Sequence, residues 1–407
     1  MRQEVLAEAA GEFQTPFYVF DLDRLREDVA EMKTLLADRV GLCFAMKANP
    51  FLTEEMAEMT DYIEVCSPGE LRICIEQKIP AEKMILSGVL KEEQDIRELL
   101  EKEKLPHFTA ESMDQVDLFL RLSREYGRNV ELLLRLTSGN QFGMDEDVLL
   151  ESVDKILQQK YVQFAGIHFF SGTQKRKSEQ IRKELGQLAE VCDRIWERFG
   201  LKVPWLEYGP GFGVEYFKGT KKWGREEALA MLSDAADCVT ELHFPGTVTF
   251  EMGRFLAAMC GSFVTKVREV KENQGTRYCL VDAGMHHLNY DGQVMAMKTP
   301  FCTPLFAREG EEEQNYCICG ALCTANDILI RQYPLKGVRP GDLLVFERTG
   351  AYSMTEGMSL FLSRDLPAVV SYCKTEGFRV LRSRMPVYPL NKAADCEFPY
   401  KSRVIPT

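Results

Sequence analysis

The stretch Phe44-Ala-Met-Lys47-Ala-Asn49-Pro50 follows an apolar run, Val40-Gly41-Leu42-Cys43, so a buried strand here ends in a lysine. An amine at the C-terminal mouth of a strand lies where βα folds keep their chemistry, and partial burial lowers its pKa so that it attacks a carbonyl. Lys47 is therefore a Schiff-base candidate, although a lysine that only snorkels to solvent has the same local sequence. Other reactive types stand just past short apolar runs: Glu64-Val-Cys-Ser67-Pro-Gly-Glu70, Ser87-Gly88-Val-Leu-Lys91, Arg135, His168-Phe-Phe170-Ser171-Gly172-Thr173-Gln174, Gly209-Pro-Gly211-Phe-Gly213 and Glu251-Met-Gly253-Arg254. Each of these, taken singly, has an equally good explanation as a turn or a salt bridge.

The elements that must position these residues are legible in the hydrophobic pattern. Apolar runs at 40–46, 62–65, 84–86, 107–109, 130–136, 164–169, 205–208 and 247–250 alternate with amphipathic stretches such as 24–37, 114–126 and 178–199. Eight βα units in about 235 residues are what a closed (β/α)8 TIM barrel needs, so the fold class is α/β with a barrel domain over 25–262. From 263 the pattern changes to short alternating segments, 263–270, 278–281, 315–318, 342–346 and 368–373. Turns at Asn273-Gln-Gly275, Arg339-Pro-Gly341 and Thr375-Glu-Gly377 separate them. They predict a C-terminal antiparallel β-sandwich or barrel domain. The strand-like opening Thr15-Pro-Phe-Tyr-Val-Phe-Asp21 pairs with it, so that domain comprises 1–24 and 263–407. The Lys/Glu-rich stretches 91–104 and 308–314 read as solvated surface.

Composition narrows the function classes. The 407 residues are 45% hydrophobic and 28% charged, with a formal net charge of −12. A phosphate backbone needs a basic footprint, so nucleic acid is not a partner. No apolar run of about 18 residues or signal-like N-terminus appears, which predicts a cytoplasmic protein with no membrane span. Thirteen cysteines then imply reduced thiols. The cluster Cys317-Ile-Cys319-Gly-Ala-Leu-Cys323 lacks a second paired knuckle, so no metal is expected and a single reactive thiol is the better reading.

If the barrel closes, the strand-end residues share one face. The glycine-rich turn then offers backbone N–H groups to a phosphate, Arg254 a fork of donors and Thr173 a hydroxyl. A phosphate site facing a lysine points to pyridoxal 5′-phosphate, whose aldehyde needs an amine and whose ring nitrogen needs an acid. Glu251 supplies the acid.

With these motifs, together with Cys319-Gly-Ala-Leu-Cys323-Thr-Ala-Asn-Asp327 and Gly350-Ala-Tyr352, the chain resembles the alanine-racemase-fold pyridoxal-phosphate enzymes. Within that group it is similar to the diaminopimelate/ornithine/arginine decarboxylases. The resemblance implies that Lys47 carries the cofactor and Glu251 pairs with its ring nitrogen. Thr173, Gly211, Gly213, Gly253, Arg254 and Tyr352 hold the phosphate, and Glu64, Ser67, Glu70, Arg135 and His168 surround the cofactor. It also implies a homodimer with shared active sites, in which Cys323 of a second subunit donates a proton after loss of carbon dioxide. Two departures stand out. Phe170 occupies the place of a histidine stacked on the cofactor ring. Thr324, and Asp282-Ala-Gly-Met285-His286-His287, replace the glutamate and the Arg-Pro element with which diaminopimelate decarboxylases grip their substrate's far end. Free diaminopimelate would leave charges poorly paired here. The expected activity is pyridoxal-phosphate-dependent decarboxylation of an amino acid or derivative. The alternatives are a carrier-protein-tethered glutamyl or siderophore-intermediate substrate, diaminopimelate itself, or racemisation. His286, His287, Thr324 and Asp327 are candidate substrate contacts, although tandem histidines near a turn are more often hydrogen-bonded surface or interface groups than catalysts.

Overall fold

A computed structural model of the chain describes residues 1–219, 223–293 and 295–393. Its strands, in chain order, are β1 (Phe17–Asp21), β2 (Gly41–Ala45), β3 (Tyr62–Val65), β4 (Met84–Leu86), β5 (His107–Ala110), β6 (Val130–Arg135), β7 (Val162–Phe170), β8 (Trp205–Gly209), β9 (Thr247–Met252), β10 (Gly261–Asn273), β11 (Thr276–Val281), β12 (Cys302–Pro304), β13 (Glu313–Cys319), β14 (Ile328–Lys336), β15 (Leu343–Glu347), β16 (Ala368–Cys373) and β17 (Gly377–Arg382). Strands β2 to β9 pair in sequence order and β9 closes on β2, giving an eight-stranded parallel barrel.

Parallel neighbours need a crossover, and amphipathic helices supply it. In helix Ser178–Phe199, Ile181, Leu185, Leu188, Val191, Cys192 and Ile195 recur at helical spacing and are buried. Gly200 ends this helix with φ 64°, a left-handed conformation that a Cβ would strain. The Ser112 hydroxyl starts helix Met113–Tyr126 by accepting from the Gln115 N–H.

Inside the barrel, side chains alternate with a period of two. Cys43, Ile85, Leu133 and Trp205 form an apolar plug against Tyr62 and Ala165. Two residues further along the same strands the inward positions become Glu64, Ser87, Arg135 and Glu207, with Glu251 following Thr249. The interior thus changes from hydrocarbon to ionisable groups within one layer, at the strands' C-terminal ends.

The described residues separate into two compact units: residues 21–261 with 348–352, which hold the barrel, and residues 1–20, 262–347 and 353–393. The return of 348–352 to the barrel unit is not among the sequence boundaries of 25–262 against 1–24 and 263–407. Close backbone contact fixes it there. Gly350 donates to the Ala258 carbonyl at 3.1 Å, Tyr352 N–H donates to the Ala48 carbonyl at 2.7 Å, and the Asn49 amide donates to the Gly350 carbonyl at 2.8 Å.

In the other unit the sheet order is β14-β13-β11-β10-β1-β16-β17, with β15 also on β10 and β12 on β15. The sheet is mixed rather than purely antiparallel, because Tyr278–Leu280 of β11 run parallel to Cys317–Cys319 of β13. Its core is Leu6, Ala9, Phe17, Val19, Val264, Val345 and Val370. Helix Gln3–Glu12, which contributes two of these, has no counterpart in the sequence expectations. Gln274 and Gly275 both take positive φ, 50° and 76°, and make the tight turn of the β10–β11 hairpin. The stretch 91–104 is not simply solvated surface: helix Glu93–Leu100 buries Ile96, Leu99 and Leu100. Among the described residues no helix is long and apolar enough to cross a membrane.

Candidate active site

Strand β2 ends at Ala45, and Lys47 stands one step beyond it in the 3-10 turn Met46–Ala48. Its Nζ lies 2.9 Å from Glu64 Oε2 and 3.3 Å from Glu251 Oε1, with Cys66 Sγ at 3.8 Å. The second Glu64 oxygen accepts from the Ser87 hydroxyl. The second Glu251 oxygen is 3.1 Å from His168 Nε2. A polar chain Ser87–Glu64–Lys47–Glu251–His168 therefore crosses the barrel mouth, with one member from each of five strand ends.

These neighbours set the charges. Burial works to lower the Lys47 pKa, but Cys66, Glu251 and Glu64 outweigh it and hold the ammonium well above the ordinary lysine value. The expectation of a depressed amine is thus reversed, because two carboxylates flank it. Burial would raise Glu251, yet Lys47 and Arg135 keep its carboxyl below the usual value and so ionised. Burial pushes His168 down to about 3. A neutral imidazole donating from Nε2 is the form that suits an ionised Glu251, while Nδ1 has no hydrogen-bond partner among the described residues. Glu64, His168 and Glu251 also bring three donor atoms within 4.8 Å of one another. The Lys47 ammonium already supplies the cation that such a cluster attracts.

The rim of the mouth is built for close approach. Gly211 has φ 63°, and a Cβ there would sit 2.0 Å from the Gly172 carbonyl oxygen. At Gly253 a Cβ would meet that of Ala48 at 2.9 Å. Arg254 is 9% exposed, with its guanidinium 4.4 Å from the Tyr352 ring centroid and Nη1 donating to the Tyr216 hydroxyl at 3.2 Å. Gly213 lies on the same rim, Thr173 is exposed there, and the Phe170 ring centroid is 5.8 Å from Lys47 Nζ. Arg135 pairs with Glu111 Oε1 at 2.7 Å. Ser67 and Glu70 serve a helix start: the Ser67 hydroxyl accepts from the Glu70 N–H, and the Glu70 carboxylate accepts from the Cys66 N–H at 2.6 Å.

The other candidates belong to the second unit. Cys323 is exposed. Asp327 is 2% exposed, and its carboxylate accepts from the Met285 and Leu322 N–H groups at 2.7 and 2.8 Å, which pins the loop carrying Cys323 and Thr324. His286 and His287 are buried with ring centroids 3.6 Å apart, and His287 Nε2 donates to the Asp365 carbonyl. Burial lowers them to about 3 and about 4.

Sequence reasoning assigns no role to Ser87, Glu111 or Glu207. Glu207 is fully buried beside the Cys43 thiol, and burial pushes its carboxyl far above the usual range. The available signal was position, since each is the inward residue at a strand's C-terminal end.

The family model for pyridoxal-dependent decarboxylases, pyridoxal binding domain, matches residues 22–258, the barrel with its lysine and glutamate. The chain belongs to this family. The decarboxylase is 27% identical over 377 residues to the L-glutamyl-(BtrI acyl-carrier protein) decarboxylase of Niallia circulans, spanning 87% of this chain and 88% of that one. It is 23% identical over 404 residues to the diaminopimelate decarboxylase of Methanocaldococcus jannaschii, spanning 93% and 90%. In fold it resembles the M. jannaschii diaminopimelate decarboxylase in complex with L-lysine, with TM-score 0.85 and 22% identity over 97% of this chain and 95% of that one. The lysine/ornithine decarboxylase of Vibrio vulnificus, complexed with putrescine, gives 0.79 and 20% over 91% and 97%. The family's cofactor is pyridoxal phosphate, and the residues fit it. An amine and an ionised carboxylate face each other, and among the described residues His168 Nδ1 is a buried atom with no hydrogen-bond partner.

Proposed function

We propose that this decarboxylase removes the α-carboxylate of an amino acid or amino-acid derivative, releasing carbon dioxide and an amine. The observation that carries the reading is Lys47 held between Glu64 and Glu251 at 2.9 and 3.3 Å. Lys47 Nζ is the attachment point for the cofactor aldehyde. Glu251, ionised and braced by His168, faces the ring nitrogen and keeps a proton on it. Gly211, Gly213, Thr173, Gly253, Arg254 and Tyr352 bind the phosphate, and Phe170 covers the ring. Glu64 and Arg135 complete the acidic and basic surroundings. Bound there, pyridoxal phosphate supplies the electron sink that makes loss of carbon dioxide feasible. Lys47 accepts and returns protons at Nζ as substrate and product amines exchange with it.

The reading extends to a homodimer working in a reducing, cytoplasmic setting. Cys323 of a second copy donates the proton that replaces carbon dioxide. Its exposure on a loop pinned by Asp327 supports this, as do the exposed Met358, Leu360, Phe361 and Leu362. Thr324, and His286-His287 where an Arg-Pro element would follow Asp282-Ala-Gly-Met285, favour a substrate without a second amino-acid end, and the likeness to a carrier-protein glutamyl decarboxylase favours a tethered glutamyl group. Carbon dioxide release should be measured on diaminopimelate, lysine, ornithine, arginine, glutamate and carrier-bound glutamate, with borohydride used to fix the cofactor on Lys47. Reduction that labels another lysine, or efficient turnover of diaminopimelate, would overturn the corresponding part.

A further inference from the structure

Two loops form the rim where the phosphate is proposed to sit: residues 171–176 after β7 and residues 210–214 after β8. They are zipped together by backbone bonds, Lys175 N–H to the Gly211 carbonyl and Gly213 N–H to the Lys175 carbonyl, both 2.9 Å. The Gln174 side-chain oxygen accepts from the Val214 N–H at 2.7 Å. The zip has a buried anchor. Glu184, on helix Ser178–Phe199, is 8% exposed and accepts four hydrogen bonds. Ser171 Oγ and Gln180 Nε2 donate to Oε1 at 2.8 and 3.3 Å. Lys175 Nζ and the Tyr208 hydroxyl donate to Oε2 at 2.6 and 2.7 Å. One carboxylate thereby gathers the residue that follows β7, the residue at the centre of the zip and a residue of β8.

Stability alone does not account for this cluster. A buried ion pair costs desolvation that an apolar pair of similar volume avoids, and in some proteins such a pair serves instead to select one geometry. The geometry selected here is the separation of the two loops.

We infer that Glu184 is a positioning residue for the phosphate: through Ser171, Lys175 and Tyr208 it fixes the two loops whose remaining backbone N–H groups, outside the zip made by Lys175, Gly213 and Val214, receive the phosphate oxygens. The inference rests on the phosphate-holding roles proposed above. It predicts selective damage, because pyridoxal lacks the phosphate and does not depend on the rim.

The test uses the full chain, stripped of cofactor and titrated with pyridoxal phosphate and with pyridoxal. One variant is Glu184→Gln; the other combines Glu184→Leu with Lys175→Met, which removes the pair without leaving a buried charge. In the double variant, pyridoxal phosphate affinity should fall about 10- to 100-fold with pyridoxal affinity unchanged. Amide exchange at Gly213 and Val214 should quicken at least about tenfold. Glu184→Gln should show a smaller loss of the same kind, restored in part by adding Lys175→Met. Equal loss for both ligands, or unchanged exchange at Gly213 and Val214, would overturn the inference. A wild-type chain that takes up no pyridoxal phosphate would sink the proposed function instead, and the exchange rates would still decide the role of Glu184.

Discussion

Replacing Glu251 by Gln should have two effects of opposite sign. Glu251 Oε1 is 3.3 Å from Lys47 Nζ, and the carboxylate is 4% exposed. At an effective dielectric of about 20 that separation corresponds to about 5 kcal/mol of attraction. The Lys47 side chain is 36% exposed, so screening reduces the value to on the order of 2 kcal/mol. Attachment of the cofactor requires the neutral amine. Loss of 2 kcal/mol of ammonium stabilisation raises the neutral fraction roughly 30-fold at a fixed pH below the lysine midpoint. At saturating pyridoxal phosphate, the first-order growth of the bound cofactor's visible band should therefore accelerate by about that factor. Decarboxylation, for which this carboxylate is proposed to face the ring nitrogen, should fall about 10²- to 10³-fold. Stopped-flow absorbance gives the first number and carbon dioxide release the second. Slower attachment together with slower turnover would indicate general damage. Unchanged attachment in Glu251→Gln, alongside acceleration in Glu64→Gln, would show that Glu251 does not hold the amine's proton, and the electrostatic reasoning would fail.

Cys323→Ala should lower carbon dioxide release or alter product identity by roughly 10²-fold, the usual weight of a placed general acid; unchanged rate and product would remove Cys323 from the reaction. Arg254→Met should weaken pyridoxal phosphate binding about 10- to 100-fold with little change for pyridoxal, measured by titration of the cofactor-free chain. His168 and His286 titrate near 3, and His287 near 4, in the folded chain. Their unfolded value is near 6.5, so between these limits the unfolded chain binds more protons. Their contribution is complete above pH 6.5 and is lost as pH falls, by about 2 kcal/mol per histidine between 6.5 and 5. Urea midpoints at the two pH values should show this, and a His286→Leu chain with the same acid sensitivity as wild type would refute that histidine's share.

The barrel was legible because each strand is a short apolar run followed by an amphipathic helix, and pattern alone requires neither pairing partner nor register. Lys47, Glu64 and Glu251 stood out because they end such runs. Period-two alternation identifies a face but not a depth, so Glu207, the inward residue two past Trp205, gave no hint of its full burial. Glu184 was hidden for a related reason: an acid between Ile181 and Leu185 reads as the edge of a helical stripe, and only tertiary structure brings Ser171, Lys175 and Tyr208 to it. Likewise the charge state of Lys47 depends on two carboxylates contributed by strands that are distant in sequence. The sheet unit was legible as β but not as mixed, because the parallel pairing of β11 with β13 leaves no local mark.

The short return of 348–352 has a consequence for dividing this molecule. A fragment cut where the family match ends, at residue 258, would keep the amine and the acid but leave Tyr352 behind, nearly a hundred residues downstream. Such a piece contains all eight barrel strands, yet it should grip a phosphorylated ligand less firmly than the parent. Exchange of barrels between relatives by simple recombination would carry the same defect unless that distant loop travelled too.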